Sequence, residues 1–167
     1  MKHDASTIIK ELNIKDDVLN IYSYGSQIYG TATNESDYDY IIVTKNAMLS
    51  SGAFKQNAIS NKDLTIQGVI YSRSGFIDAI NNYEIGAIEC LSLNDNQIIQ
   101  KKWPFKIQKW NTNEMIRKII SKASNSWYIA DEQAKTGHKD RAKRGVFHVL
   151  KRDTHSNKLL MEKKVKK

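Results

Sequence analysis

Hydrophobic and polar positions alternate over short stretches in the first half of the chain and recur at helical spacing in the second half. Alternation with aromatic and β-branched residues predicts half-buried strands, whereas apolar residues three and four apart predict amphipathic helices. Strands are therefore predicted at residues 18–22, 38–43 and 63–71, and helices at residues 5–12, 72–83, 84–93, 111–135 and about 139–152. Residues 48–60, rich in Ser, Asn, Gly and Ala, are predicted to be a poorly defined helix or a loop.

The longest predicted helix begins with a capping-box pattern, Asn111-x-x-Glu114, and Gly137 marks its end. The segment before it, residues 97–110, holds the only proline, two tryptophans and four lysines. Such a segment forms either a base-stacking, phosphate-contacting surface or a linker whose aromatic side chains pack a second element on the core. The linker is the favoured interpretation.

Charge is distributed unevenly along the chain. The net charge is +8, and residues 135–167 alone contribute twelve Lys or Arg against three Asp or Glu. Such a segment typically meets polyanions, namely RNA, DNA or a bound triphosphate. The alternative is a solvated basic tail, which is favoured for the end of the chain, and residues 156–167 are predicted to be disordered.

The remaining composition narrows the class of protein. A chain of 167 residues with 40% apolar residues forms one compact domain, or a small catalytic core with a helical appendage. No apolar run is long enough to span a bilayer, and the first residues show no apolar leader region. Cys90 is the only cysteine, which favours a small buried side chain and a cytoplasmic location.

The candidate chemistry lies between the first two predicted strands. Gly25-Ser26 stands where a strand ends and a helical turn can begin, and backbone N–H groups at such a junction attract phosphate. Ten residues later follows Asp37-Tyr38-Asp39 at the start of the next strand. Because side chains alternate along a strand, both aspartates face the same way, and Mg²⁺ prefers such oxygen ligands together with substrate phosphates. The alternative for either half alone is an ordinary turn or a solvated strand end.

Together, these residues resemble the signature of the DNA polymerase β-like nucleotidyltransferase superfamily. Gly30, and Ser36 directly before Asp37, also fit that signature. The resemblance implies an α+β nucleotidyltransferase fold, in which a small mixed β-sheet is flanked by helices and followed by a C-terminal helical extension. It implies a catalytic core at residues 1–105 and a basic helical extension at residues 106–167 that packs on the core.

The resemblance also implies a reaction. Gly25 and Ser26 would bind the β- and γ-phosphates of an NTP such as ATP, and Asp37 and Asp39 would bind two Mg²⁺ or Mn²⁺ ions. Family members usually carry a third carboxylate on a later strand, and Asp63 is the preferred candidate as metal ligand or general base. Glu89 is a weaker candidate, with a helix-surface acid as the alternative.

The last predicted helix carries a basic stripe. Helices after the catalytic sheet often supply basic residues to the triphosphate in the family, which makes Arg144, His148 and Lys151 further nucleotide-binding candidates. The alternative is an ordinary solvated helix face. A chain this short would need a partner or a second copy to complete its acceptor site.

The acceptor is left open by the sequence. The expected function is transfer of NMP from an NTP to a hydroxyl group, with a nucleic-acid end, most of all RNA, as the favoured acceptor. A protein hydroxyl, as in nucleotidyltransferases of toxin–antitoxin modules, is the main rival, and a small antibiotic is a third option. The competing classes are a non-catalytic nucleotide sensor or RNA-binding platform of the same fold, and a basic nucleic-acid-binding accessory protein.

Overall fold

The computed structural model describes residues 3–34, 36–46, 48–49, 52–53, 56–63, 65–107, 110–143 and 145–146, with backbone alone at residues 48–49, 52–53 and 56–57. The chain divides into two compact units, Met1–Gln108 and Lys109–Lys167. No helix among the described residues is long and apolar enough to cross a membrane.

The first unit is built on a five-stranded sheet. Its elements in chain order are α1 (Ala5–Glu11), β1 (Val18–Tyr24), α2 (Ser26–Tyr29), β2 (Tyr38–Thr44), β3 (Met48–Leu49), β4 (Gly52–Ala53), β5 (Gln56–Ser60), β6 (Ile66–Ser72), α3 (Arg73–Asn81), α4 (Ile85–Cys90), a 3₁₀ turn (Asp95–Gln97) and β7 (Ile98–Lys101). The strand order is β5-β6-β2-β1-β7, and β3 and β4 form a separate pair. Strands β2 and β6 are parallel, and the other neighbours in the large sheet are antiparallel. The predicted α+β class with a small mixed sheet flanked by helices is thus confirmed.

Both faces of the sheet are covered by apolar side chains. On one face, Ile8 of α1 and Leu12, the residue that follows this helix, join a buried cluster with Tyr40 and Ile42 of β2. On the other face, the ring of Phe76 from α3 packs on the rings of Tyr22 and Tyr71 from the sheet and on the ring of Phe105, which follows β7. Strands β1 and β2 are therefore buried on both sides, which fixes the position of the residues at their ends.

Two predictions for the first unit were wrong. The described residues of the segment 48–60 are not a helix or a loop but form β3, β4 and β5, and β5 pairs with the edge of β6. Residues 98–101 are not a linker but strand β7, which pairs with β1. In both segments, pairing with a distant strand satisfies the backbone hydrogen bonds and overrides a weak local pattern.

The third predicted strand begins later than expected. The strand β6 starts at Ile66, because Asn61 closes the β5–β6 hairpin with its backbone and its side chain. The N–H group of Asn61 donates to the Ile66 carbonyl over 2.9 Å, and the Ile66 N–H group donates to Asn61 Oδ1 over 3.0 Å. Asp63 therefore lies in the hairpin turn, where it is exposed, and not on the strand.

Asn20 joins β1 to the chain that follows β7. Its side chain is fully buried and accepts hydrogen bonds from the N–H groups of Lys102 and Trp103, at 3.1 and 2.9 Å. Its Nδ2 group donates to the carbonyl of Trp103 at 2.8 Å and to the hydroxyl group of Tyr22. One side chain thus satisfies several polar groups at the edge of the sheet.

Replacing Asn20 by alanine is expected to lower the free energy of unfolding by about 3 kcal/mol, because it leaves these polar groups without partners. Urea denaturation followed by circular dichroism measures this change. Asn46→Ala is the control, since Asn46 is exposed and its substitution is expected to cost less than about 0.5 kcal/mol. Equal midpoints for the two variants would contradict the role of Asn20.

The second unit contains the predicted long helix, α5 (Thr112–Lys135). Asn111 caps it as the sequence indicates, since its Oδ1 accepts the Glu114 N–H group over 3.2 Å. Residues 139–143 and 145–146 are helical too. The rest of the last predicted helix and the predicted disordered tail lie outside the described residues, so both remain predictions.

Candidate active site

Strand β1 is followed by a turn that only glycine adopts without strain. Strand β1 ends at Tyr24, and Gly25 follows with φ 62° and ψ −141°, before α2 begins at Ser26. A Cβ atom on Gly25 would overlap Asp39 Oδ2 and lie 3.0 Å from Asp39 Cγ. Gly25 therefore allows the Gly-Ser turn and the Asp39 carboxylate to come into direct contact.

Asp37 and Asp39 lie side by side at the start of β2. Asp37 directly precedes the strand, and Asp39 is paired with Tyr24 of β1 on one side and with Gln67 of β6 on the other. The Gln67 side chain donates a hydrogen bond from Nε2 to Asp37 Oδ2 over 2.6 Å. Two carboxylates and one amide therefore share one face of the sheet, and we call these three residues the acidic site.

The electrostatics of the acidic site favour a proton or a cation. Burial, and to a smaller extent the negative charge of Asp37, raise the pKa of Asp39 from 3.8 to about 6. A carboxyl group with such a pKa gains from a neighbouring positive charge, because the charge replaces the lost hydration and offsets the repulsion.

Ser26 places an unsatisfied hydroxyl group at the start of α2. Its Oγ atom is buried and has no hydrogen-bond partner within the part of the chain that the structure describes. Buried polar atoms are nearly always hydrogen-bonded in folded proteins, so an unpaired one points to a missing ligand or water. Ser26 is the residue after Gly25, so the unsatisfied group adjoins the glycine that touches Asp39.

A buried acid, Glu89, contacts the end of the short helix α2. Glu89 of α4 is 1% exposed and accepts a hydrogen bond from the hydroxyl group of Tyr29, the last residue of α2. The alternative of a helix-surface acid is therefore wrong for Glu89, because α4 packs this side chain inward. Its observed contact gives it a positioning role for α2.

An open pocket of roughly 350 Å³ adjoins the acidic site. Asp39 and Gln67 line one part of it, and residues of β5 such as Ile59 and Ser60 line another. Ligand pockets in proteins commonly have volumes of about 300–1,000 Å³. The pocket leaves room for a small organic group beside Asp39.

The structure brings some of the predicted site residues together and leaves others apart. Gly25, Ser26, Asp37 and Asp39 meet around the start of α2 and β2. Asp63 does not join them, because it lies in the β5–β6 turn, and the described residues contain no group of three His, Cys, Asp or Glu that could hold a metal ion. Arg144, His148 and Lys151 lie outside the described residues, so their nucleotide-binding role remains a prediction.

The acidic site fits a divalent cation that is also bound by phosphate groups. Mg²⁺ is commonly held by one or two carboxylates together with substrate phosphates, and Asp37 and Asp39 supply two carboxylates next to an unsatisfied hydroxyl group and a glycine turn. The predicted set of three carboxylates is not present around this pair in the described residues. The residues therefore fit a cation that arrives with a phosphate ligand.

Gln67 could not be predicted as a site residue from the sequence, because nothing in a neutral amide within an alternating strand points to chemistry. Only the pairing of β6 with β2 places it next to Asp39.

Comparisons with known proteins give one named likeness. No family model and no curated protein matches the chain. Solved structures that match include a nucleotidyltransferase-like protein from Exiguobacterium sibiricum, with 14% sequence identity and a TM-score of 0.40. The match covers 88% of this chain and 53% of that one, so this chain spans about half the length of that protein. At this similarity, the likeness assigns no substrate or reaction to the chain.

Proposed function

We propose that this protein is a metal-dependent nucleotidyltransferase that transfers NMP from an NTP to a hydroxyl acceptor. The observation that carries the proposal is the buried, unsatisfied Ser26 hydroxyl group, beside a glycine turn that touches Asp39. A phosphate oxygen of an NTP would accept the hydrogen bond that Ser26 lacks. The Asp37–Asp39 pair would hold the cation that accompanies the phosphates.

The proposed reaction is a displacement at the α-phosphorus atom of the NTP. The acceptor oxygen would attack the α-phosphorus atom and form a new P–O bond, while the bond from the α-phosphorus to the bridging oxygen breaks. Pyrophosphate would leave with that electron pair, and the hydroxyl proton would pass to solvent. Bound Mg²⁺ or Mn²⁺ supplies positive charge next to the phosphate oxygens. Gly25 and Ser26 would orient the triphosphate, and Asp37 and Asp39 would fix the cation between protein and substrate.

A nucleic-acid end, most of all an RNA end, is the acceptor that the charge of the chain favours. The twelve Lys or Arg residues between positions 135 and 167 would attract a polyanion to the protein. A protein hydroxyl is the rival acceptor. A partner protein or a second copy would complete the acceptor site.

Transfer of label from α-³²P-labelled NTPs tests the proposal. Incubation with Mg²⁺ or Mn²⁺ and a mixture of total RNA and cell protein is expected to label an acceptor. The label should be lost on RNase treatment for an RNA acceptor and on protease treatment for a protein acceptor. Asp37→Ala is expected to lower transfer by about a hundredfold or more, because it removes half of the carboxylate pair.

Asp63→Ala provides the comparison for this experiment. Its exposed position in the hairpin turn predicts that transfer is retained, so the two variants separate the acidic site from the third carboxylate that the sequence predicted. Absence of label with every NTP, while NTP binding is intact, would replace the proposal by a non-catalytic nucleotide sensor.

A further inference from the structure

The residues around Asp39 on its face of the sheet are set by strand register. Its same-face neighbours along β2 are Asp37 and Ile41, and its partners across the sheet are Tyr24 on β1 and Gln67 on β6. Asp37 is the only acid in this set. The place on β6 where a further carboxylate could join the pair is taken by Gln67.

The orientation of the Gln67 amide follows from its contact. An ionised carboxylate only accepts hydrogen bonds, so the group that lies 2.6 Å from Asp37 Oδ2 is the Nε2 amino group. One oxygen of Asp37 is thereby engaged by a neutral donor. An amide neither takes up an acceptor proton nor adds negative charge to the site.

The two carboxylates of the acidic site suffice as protein ligands for one cation. A cation bound to the triphosphate takes several ligands from the phosphate oxygens and needs one or two protein carboxylates. A second cation beside it would depend more strongly on protein ligands, and the described residues offer it no third acid.

We infer that Gln67 limits the acidic site to a single divalent cation, the one that carries the triphosphate, an inference that rests on the proposed function. Gln67 is in this respect a positioning residue, since it holds Asp37 and occupies the place of a third ligand. The chain then binds nucleotide well and transfers it slowly, because no third carboxylate among the described residues lies beside the acidic site to receive the acceptor proton.

Counting bound Mn²⁺ tests the inference, with free Mn²⁺ measured by its EPR signal. In the presence of saturating α,β-methylene-ATP, the wild-type chain is expected to bind one Mn²⁺ and Gln67→Glu two. Without nucleotide, Gln67→Glu is expected to bind Mn²⁺ about tenfold more tightly than the wild type, because affinity for a hard cation rises with the number of carboxylates. NMP transfer by Gln67→Glu should rise by about a hundredfold, as expected for a new general base.

Two further variants control the experiment. Gln67→Asp introduces the same charge on a shorter side chain, so it gives a second variant if Gln67→Glu does not fold beside Asp37. Gln27→Glu places the same charge near Asp37, whose carbonyl accepts from Gln27 Nε2 over 3.5 Å, but away from the register position on β6. It is expected to bind one Mn²⁺ with nucleotide, like the wild type.

The outcomes separate this inference from the proposed function. Two Mn²⁺ ions in the wild type, no gain in either Gln67 variant, or an equal gain in Gln27→Glu would each overturn the role of Gln67. If the wild type binds no nucleotide while Gln67→Glu still gains Mn²⁺ affinity, the proposed function fails, and Gln67 keeps only its role as the residue in the place of a third metal ligand. If the wild type binds nucleotide and neither Gln67 variant gains Mn²⁺ binding, the role of Gln67 fails and the proposed function is unaffected.

Discussion

Replacing Gly25 by alanine is expected to lower nucleotide affinity at least tenfold, whereas the same change at Gly30 leaves the affinity unchanged. The backbone of Gly25, with φ 62° and ψ −141°, lies in a region that residues with a side chain rarely adopt. Holding alanine in this conformation costs about 1–3 kcal/mol. The added Cβ atom would also overlap Asp39 Oδ2, so the carboxylate would have to move away from the turn. Both changes alter the atoms proposed to bind the triphosphate and its cation.

Gly30→Ala is the matched control for this prediction. Gly30 also has a positive φ of 67°, but a Cβ atom there would meet nothing within 4 Å. It should cost about 1 kcal/mol of stability through the left-handed backbone alone, without disturbing the acidic site. Binding of a fluorescent ATP analogue with Mg²⁺, together with thermal unfolding, measures both effects. Equal nucleotide affinity in the two variants would contradict the proposed phosphate-binding turn.

Features that depend on local spacing could be predicted from the sequence. The strand before Gly25-Ser26, the helical turn after it and the strand that carries Asp39 follow from alternation and turn chemistry. The cap of α5, Asn111, was predictable for the same reason. Each of these features depends on residues that are close in the chain.

Features that depend on pairing between distant segments could not be predicted. Gln67 gains its position only through the parallel register of β6 and β2, and β5 becomes a strand only because β6 offers it an edge. Asn20 is a polar residue in an apolar strand, and its partners Lys102 and Trp103 lie at the other end of the first unit. The prediction that Asp63 lies on a strand was wrong for a local reason, since the hydrogen bonds between Asn61 and Ile66 close the hairpin and decide where β6 begins.

Asp39→Asn is expected to remove transfer activity while it raises the stability of the protein at neutral pH. The amide keeps the size of the side chain but removes a charge that the folded state disfavours, because burial and the neighbouring Asp37 raise the pKa of Asp39 from 3.8 to about 6. A shift of this size corresponds to at most ~3 kcal/mol. Since part of the side chain is open to solvent, screening reduces the expected gain to about 1 kcal/mol. Transfer should fall by about a hundredfold or more, because the amide is a poor ligand for Mg²⁺.

The pH dependence of this stability difference has a definite sign. Below pH 3.8, Asp39 is protonated in the folded and unfolded chains, so the wild type and Asp39→Asn should have nearly equal stability. As the pH rises from 3.8 to about 6, the unfolded chain loses this proton before the folded chain does, and the wild type loses stability relative to the variant. Above about pH 6 the difference stays constant.

Thermal unfolding of both proteins between pH 3 and 8 measures this difference. Added Mg²⁺ with a non-hydrolysable ATP analogue should stabilise the wild type and not Asp39→Asn, because binding to the folded state alone raises stability. Asp17→Asn, which changes an exposed carboxylate outside the acidic site, should remain within about 0.5 kcal/mol of the wild type. A difference that grows as the pH falls would mean that a positive charge of the protein lowers the pKa of Asp39. Stabilisation of Asp39→Asn by Mg²⁺ and nucleotide would mean that their binding does not need the Asp39 carboxylate.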